Sequence, residues 1–164
     1  MTRRVVVIGG DAAGMSAASQ ALRAAGPDAL EVVAFERGHH VSYSACGIPY
    51  LVAGDVDTAD ALIARSAAEH QANGIDLRLR TEVTEMDPCA RTVTAAPLDG
   101  GANYQLGFDE LVLATGAAPV RPDLPGVNTP GVFGVQTLDD AAGGPHCAGP
   151  GCAAGHRARA GRRT

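Results

Sequence analysis

The sequence predicts an α/β fold with a doubly wound parallel sheet, and three features near the start of the chain indicate it. Residues 5–8 form an apolar run typical of a strand that is buried on both faces. Residues 9–14 contain three glycines and open an alanine-rich helix that extends to about Ala25. Residues 31–35 are a second apolar run, which completes the order strand, turn, helix, strand.

The remainder of the chain predicts shorter elements. Ser66 and Glu69 have the spacing of a capping box, which predicts a short helix that Gly74 can end. Residues 111–114 are apolar and predict a further buried strand, which a Thr-Gly pair ends. Short strands separated by turn residues are predicted at residues 75–80, 82–86, 91–96 and 104–106, and the expected fold includes a small antiparallel β insertion.

Length and composition narrow the class of protein. The chain has 164 residues, of which 46% are hydrophobic and 19% charged, and no apolar run is long enough to cross a membrane. Residues 1–142 carry nine arginines against eighteen acids, so we expect no nucleic-acid surface there, since such a surface needs a basic stripe. The start of the chain has no signal-peptide core, and we expect a cytoplasmic protein with reduced cysteines.

Residues 143–164 differ in character from the body. Thirteen of these 22 residues are Gly, Ala or Pro, and no large apolar side chain occurs. Such a segment cannot bury enough apolar area to offset its ordering entropy. We therefore expect a domain over residues 1–142 and a disordered tail over 143–164. The tail holds zinc-type ligands at His146, Cys147, Cys152 and His156, but they lack flanking strands, and we predict no metal site.

The glycine turn has the context of a dinucleotide site. It follows a strand and opens a helix, and Glu36 ends the next strand. Gly9 permits the tight turn, Gly14 lets the helix pack closely on the sheet, and the first helix amides can face a pyrophosphate. Glu36 can accept hydrogen bonds from ribose hydroxyls. Asp11 stands where the usual pattern has its second glycine, and we expect weakened binding there at worst if its side chain turns to solvent.

One cysteine has the context of a reactive thiol. Cys46 lies just before Pro49, a residue that is well tolerated in the first turn of a helix. A helix N-terminus stabilises the thiolate, which is the form that attacks disulfides and peroxides. No neighbouring cysteine can form a dithiol with Cys46, so a redox cycle needs an external thiol, a sulfenic acid or a cofactor. A buried inert cysteine is the alternative, and Cys89 is expected to be an exposed bystander.

Three segments together resemble a known family. They are VVVIGGDAAGMSAASQ (residues 5–20), SYSACGIPY (42–50) and LVLATGAAP (111–119). In order and spacing they are similar to the FAD domain of the single-cysteine pyridine nucleotide-disulfide oxidoreductases, which include coenzyme A-disulfide reductases and NADH oxidases. The resemblance implies a Rossmann-like FAD/NAD(P)-binding domain in which Cys46 is the nucleophile. It implies FAD contacts at Gly9, Gly10, Asp11, Ala12, Ala13, Gly14, Glu36, Arg37, Val83, Ala114, Thr115 and Gly116, and coenzyme A contacts at Ser16, Gln20, Arg23 and Ser42.

The resemblance also implies an activity and its partners. Members reduce coenzyme A disulfide, a related disulfide, oxygen or peroxide with NAD(P)H, and they are homodimers. Ala45 stands where coenzyme A reductases often carry Asn, so the substrate stays open. The family's NADH-binding and dimerisation domains have no counterpart after Asp140, and we expect a truncated or frameshifted product. The alternative function is an inactive fragment that binds FAD or a nucleotide.

Overall fold

The structure is a computed structural model that describes residues 2–26, 29–130 and 132–142. The described residues divide into two compact units, one built from those up to 43 and from 63–117, the other from 44–62 and from those between 118 and 142. In chain order the elements are β1 (Arg3–Ile8), α1 (Ala12–Ala25), β2 (Leu30–Phe35), α2 (Ile48–Ala53), α3 (Ala67–Ala72), β3 (Ile75–Arg78), β4 (Thr81–Asp87), β5 (Thr92–Pro97), β6 (Tyr104–Gly107), β7 (Glu110–Leu113) and α4 (Leu138–Ala142).

A four-stranded parallel sheet in the order β3-β2-β1-β7 forms the centre of the first unit. Val6 of β1 is in register with Val33 on one side and with Leu111 on the other. The chain therefore passes from β1 through α1 to one neighbour, while β7 later arrives on the opposite side. In doubly wound sheets, ligands bind in the crevice that such a reversal opens at the carboxyl ends of the strands.

The core lies on both faces of this sheet because successive strand residues point to opposite sides. Val5 and Val7 pack with Met15 and Ala18 of α1 on one face. Val6 packs on the other face in a cluster with Val33, Phe35, Val93 and Ala95. The apolar run of β1 is continuous, as predicted, because a different layer covers each face of this strand.

The second layer is the antiparallel sheet β4-β5-β6, which confirms the predicted insertion. Arg78 joins the two sheets, since its guanidinium lies 5.5 Å from the ring centroids of both Phe35 and Tyr104 and donates to the Tyr104 hydroxyl at 3.0 Å. The hydrogen bond to Asp76, at 2.6 Å, raises the pKa of Arg78 above its ordinary value, although burial opposes this. The charged side chain of Arg78 therefore links the two sheets through its ring contacts and its hydrogen bond to Tyr104.

The predicted capping box is present at the start of α3. The Glu69 amide donates to the Ser66 hydroxyl at 3.2 Å, and the Glu69 carboxylate accepts from the Ser66 amide at 2.8 Å. These hydrogen bonds lower the pKa of Glu69, the backbone bond contributing most. Local sequence thus fixes where α3 begins.

The boundaries of two strands and the burial of a third strand differ from the sequence-based expectation. Arg80 and Arg91 have positive φ angles of 50° and 54°, so β3 and β5 exclude residues that the pattern had included. The strand at residues 111–114 was expected to be buried, which is wrong for β7: Leu111 and Val112 pack partly buried against the core clusters, whereas Leu113, its last residue, is 62% exposed. The expected disorder of residues 143–164 lies outside the described residues.

The second unit contains the cysteine segment. A 3₁₀ turn at Ala45–Gly47 leads into α2, which ends at Gly54 in the left-handed conformation with φ 79°. The short helix α4, which the sequence had not predicted, packs against α2 in this unit. No helix in the described parts of either unit is long and apolar enough to cross a membrane.

Candidate functional site

Three loops meet beyond the carboxyl ends of β1, β2 and β7. The Gly9 amide donates to the Phe35 carbonyl at 2.9 Å, and the Ala114 amide donates to the Ile8 carbonyl at 2.8 Å. Gly9 has φ 109°, and a Cβ there would lie 2.1 Å from the Ala114 carbonyl oxygen. Only glycine fits between these loops, so the turn after β1 has the close approach predicted for it.

Neighbouring atoms leave no room for a side chain at Gly14 or at Gly10, and these atoms differ between the two positions. A Cβ on Gly14 would lie 1.8 Å from the Gly9 carbonyl oxygen, so the first turn of α1 packs directly on the glycine turn. A Cβ on Gly10 would lie 2.7 Å from the Cβ of Glu36. The N–H groups of this first helical turn have no intrahelical acceptors and carry the positive end of the helix dipole. The helix end therefore has amides without intrahelical acceptors, of the kind that bind phosphate.

Glu36 connects the strand β2 to the glycine turn. One carboxylate oxygen accepts from the Gly10 amide at 2.7 Å, and the other accepts from the Gly38 amide at 2.7 Å. A carboxylate has about four acceptor positions. The group is thus held in a fixed orientation and retains the capacity to accept hydrogen bonds from two hydroxyls of a ribose.

Asp11 departs from the expectation that its side chain turns to solvent. It is the N-cap of α1, yet its side chain makes no capping hydrogen bond, and its Oδ1 is buried without a partner in the described part of the chain. The positive end of the helix dipole attracts the carboxylate to this position. A negative charge therefore sits close to the amides that would face a pyrophosphate.

The remaining residues predicted for FAD lie in the same unit. Arg37 is exposed, and its carbonyl accepts from Arg80 at 3.1 Å. Val83 is partly buried in β4, beside a shift in the β4-β5 register. Thr115 and Gly116 are exposed directly after β7, with Gly116 at φ 69°. The structure thus brings the glycine turn, Glu36 and the loop after β7 together, whereas Val83 belongs to the antiparallel layer.

Cys46 presents an exposed thiol in the second unit. It lies in the 3₁₀ turn before α2, with Pro49 in the first turn of that helix. Its Sγ is 3.2 Å from the hydroxyl oxygen of Ser44. Exposure argues against the alternative of a buried inert cysteine. An apolar cleft of about 320 Å³ in this unit is lined by Ala45, Ile48, Pro49, Val52, Val135 and Gln136.

The helix face predicted for coenzyme A is exposed along α1. Ser16, Gln20 and Arg23 are all exposed, and the Gln20 side chain accepts from the Arg23 guanidinium at 2.9 Å. Arg23 also borders a cleft of about 220 Å³, which it shares with a second arginine, Arg65, and with Asn73. Two guanidinium groups on one cleft favour an anionic ligand.

Ser42, the other predicted coenzyme A contact, is held in an unusual conformation. Its φ is 49°, its carbonyl accepts from the Ala64 amide at 2.8 Å, and its hydroxyl oxygen lies 2.9 Å from Nε2 of His70. His70 is buried, with 2% of its surface exposed. Burial, and then the charge of Arg65, lowers the pKa of His70, which the charge of Glu69 partly opposes.

Sequence reasoning missed three polar neighbours of these sites. The tertiary structure places Arg65 on the same cleft as Arg23 and brings His70 to Ser42. The local 3₁₀ turn brings Ser44 to Cys46. Sequence spacing alone predicts none of these three neighbours. Cys89 is exposed as expected, in a turn closed by the Asp87 carboxylate. Within the described ranges no group of three or more His, Cys, Asp or Glu could hold a metal ion, and the ligand set from His146 to His156 lies outside those ranges.

The first unit has the class of fold and turn that binds a dinucleotide at a parallel sheet, and comparison with known proteins specifies the family. A family profile described as pyridine nucleotide-disulphide oxidoreductase matches residues 3–146. The chain therefore belongs to that family, whose members are oxidoreductases that use FAD and NAD(P)H.

Proteins of similar sequence include a persulfide reductase and an NADH oxidase. The chain is 41% identical over 142 residues to a NAD(P)H coenzyme A polysulfide/persulfide reductase of Pyrococcus horikoshii, covering 86% of this chain and 30% of the relative. It is 33% identical over 138 residues to an NADH oxidase of Methanocaldococcus jannaschii, covering 84% of this chain and 30% of that protein. The chain thus spans about 30% of the length of these curated relatives.

Solved structures agree with this assignment. A NAD-dependent persulfide reductase from A. fulgidus superposes with a TM-score of 0.70 at 38% identity, over 78% of this chain and 24% of that one. The reduced CoADR-RHD of Bacillus anthracis gives a TM-score of 0.71 at 30% identity, over 77% of this chain and 23% of that one. The predicted Rossmann-like architecture is therefore confirmed.

Proposed function

We propose that this chain is the FAD-binding part of an NAD(P)H-dependent disulfide oxidoreductase, in which Cys46 exchanges with coenzyme A disulfide or a coenzyme A persulfide. The observation that carries the proposal is the exposed Cys46 thiol, with the Ser44 hydroxyl 3.2 Å from its sulfur, in a chain that also has the glycine turn and Glu36. The reductases among the relatives support the substrate class.

The glycine turn and Glu36 fit the adenosine diphosphate half of FAD. In this proposal the amides of the first turn of α1 face the pyrophosphate, and Glu36 accepts from the ribose. The proposed FAD contacts are those expected from the sequence: Gly9, Gly10, Asp11, Ala12, Ala13, Gly14, Glu36, Arg37, Val83, Ala114, Thr115 and Gly116. FAD, when bound, supplies a two-electron relay between NAD(P)H and the sulfur chemistry.

Cys46 performs a thiol–disulfide exchange. Its thiolate attacks one sulfur of coenzyme A disulfide, forms the Cys46–coenzyme A disulfide bond and breaks the original S–S bond, which releases one coenzyme A as thiolate. The Ser44 hydroxyl, 3.2 Å from the sulfur, can donate to it and hold it in place for attack. Atoms and electrons balance without any other reactant, so this half of the reaction can be observed on the chain alone.

Phosphates of coenzyme A suit the arginines of the first unit. We assign Ser16, Gln20, Arg23 and Ser42 as contacts, and Arg65 extends the set because it shares a cleft with Arg23. Guanidinium groups bind phosphate in bidentate geometry, which a polar helix face alone does not provide. Reduction of oxygen or peroxide is the second candidate, favoured by relatives named NADH oxidases and by Ala45 in the place of Asn.

Intact-protein mass spectrometry tests this function. Reduced protein is mixed with coenzyme A disulfide, and one coenzyme A adduct is expected that Cys46→Ser lacks and Cys89→Ser retains. The same protein treated with hydrogen peroxide tests the second candidate, for which a sulfenic acid at Cys46 would form in preference to the adduct. Equal labelling of the Cys46→Ser variant and the wild type would refute the role of this thiol.

A further inference from the structure

We propose that His70 is a positioning residue that fixes the hydroxyl of Ser42 as a hydrogen-bond donor toward the thiol–disulfide substrate. The inference rests on the proposed function, because Ser42 is there assigned as a substrate contact. The sequence motifs assign no role to His70.

The geometry of the imidazole determines which nitrogen carries the proton. Nε2 of His70 lies 2.9 Å from the Ser42 hydroxyl oxygen, whereas Nδ1 is buried and has no hydrogen-bond partner in the described part of the chain. An orphaned buried N–H is rarer than an orphaned acceptor lone pair. The neutral ring therefore carries its proton on Nε2 and donates it to Ser42.

This tautomer determines what Ser42 can do. A hydroxyl has one donor and two acceptor positions. When His70 donates to the oxygen, the Ser42 hydrogen is left to point elsewhere, and the side chain is partly exposed. Ser42 then acts as a donor to an oxygen or sulfur acceptor of the substrate, and not as an acceptor.

The backbone around Ser42 supports the same conclusion. Its left-handed φ of 49° is uncommon for a residue with a side chain and persists only where the surroundings hold it. Amides of Ala64 and Arg65 donate to its carbonyl at 2.8 and 3.4 Å, and His70 holds its hydroxyl. Both ends of the residue are thus fixed, as a donor aimed at a ligand requires.

A first experiment needs neither substrate nor flavin. Two-bond ¹H–¹⁵N correlation spectra of the imidazoles, with His70 assigned from the signal that His70→Gln removes, report the tautomer at pH 7.5. We expect the Nε2–H form. The Nδ1–H form or a charged ring would overturn the inference and would leave the proposed function intact.

A second experiment measures the dependence of the Cys46 exchange rate on coenzyme A disulfide concentration. Ser42→Ala is expected to raise the half-saturating concentration about tenfold, as the loss of one good hydrogen bond does. His70→Leu should raise it by a similar factor, and His70→Gln, which keeps an N–H donor, should restore it to within about twofold. In the Ser42→Ala background, His70→Leu should add nothing.

The control measurement is far-ultraviolet circular dichroism of each variant at the assay temperature. The spectra should match that of the wild type, whereas damage to the fold would change them. His70→Leu with wild-type saturation would overturn the inference. Absence of saturation in the wild type would overturn the proposed substrate, and the tautomer measurement would then still decide the state of His70.

Discussion

The hydroxyl oxygen of Ser44 lies 3.2 Å from the sulfur of Cys46, within one 3₁₀ turn at the start of α2. Ser44→Ala removes this hydrogen-bond partner of the sulfur, so we expect alkylation of Cys46 by iodoacetamide at neutral pH to slow by about three- to tenfold. Ser44→Thr keeps the hydroxyl and serves as the control. An unchanged rate in Ser44→Ala would show that the hydroxyl does not act on the sulfur.

Gly14 is the tightest point of the glycine turn. Gly14→Ala places a Cβ 1.8 Å from the Gly9 carbonyl oxygen, which forces α1 away from the sheet. We expect a loss of about 1–3 kcal/mol in the free energy of unfolding, measured in urea. Gly107→Ala is the matched control, since its Cβ would meet its nearest atom at 3.8 Å. Equal effects of the two substitutions would contradict the close packing of α1.

Asp11 places a carboxylate at the helix end assigned to a pyrophosphate. Its Oδ1 is buried and has no partner in the described residues, so Asp11→Asn removes the charge with little change in shape. We expect FAD and ADP to bind about three- to tenfold more tightly to the variant, because like-charge repulsion is relieved. The gain should shrink at high salt. Weaker binding by the variant would indicate that the Asp11 carboxylate, and not only its backbone amide, contacts the ligand.

His70 makes stability depend on pH below neutrality. Burial and Arg65 lower its pKa in the folded protein, so as pH falls through 6.5, the ordinary value, the unfolded chain takes up a proton that the folded chain does not. Stability that is fully present above pH 6.5 is therefore lost progressively below it. Denaturant melts between pH 7.5 and 5 should show a smaller slope for His70→Leu than for the wild type, and identical slopes would refute the effect.

Much of the first unit was predictable because its signals are local. The apolar runs of β1 and β2, the glycines between them and the capping box at Ser66 depend on neighbouring residues alone. Leu113 could not be placed at an exposed edge, since strand order is a property of the whole sheet. The five-residue helix α4 is too short to show a helical period.

The candidate site divides in the same way. Gly9, Gly14, Glu36 and Cys46 were recognisable from spacing and motif. The contact between Ser42 and His70 joins residues 28 positions apart, and no pattern in a single sequence reveals such a pairing. Asp11 was visible as a departure from the motif, but whether its carboxylate faced solvent or the helix end depended on its surroundings.

Calorimetric titration with FAD tests the central claim most directly, because it measures binding at the site to which the glycine turn and Glu36 are assigned. The account predicts that the folded wild-type chain binds one FAD, and that Glu36→Ala weakens this binding by about tenfold or more through loss of the ribose hydrogen bonds. Circular dichroism on the same samples confirms that both proteins are folded. A folded wild-type chain that binds neither FAD nor ADP, or a Glu36→Ala variant that binds FAD as well as the wild type, would contradict the account.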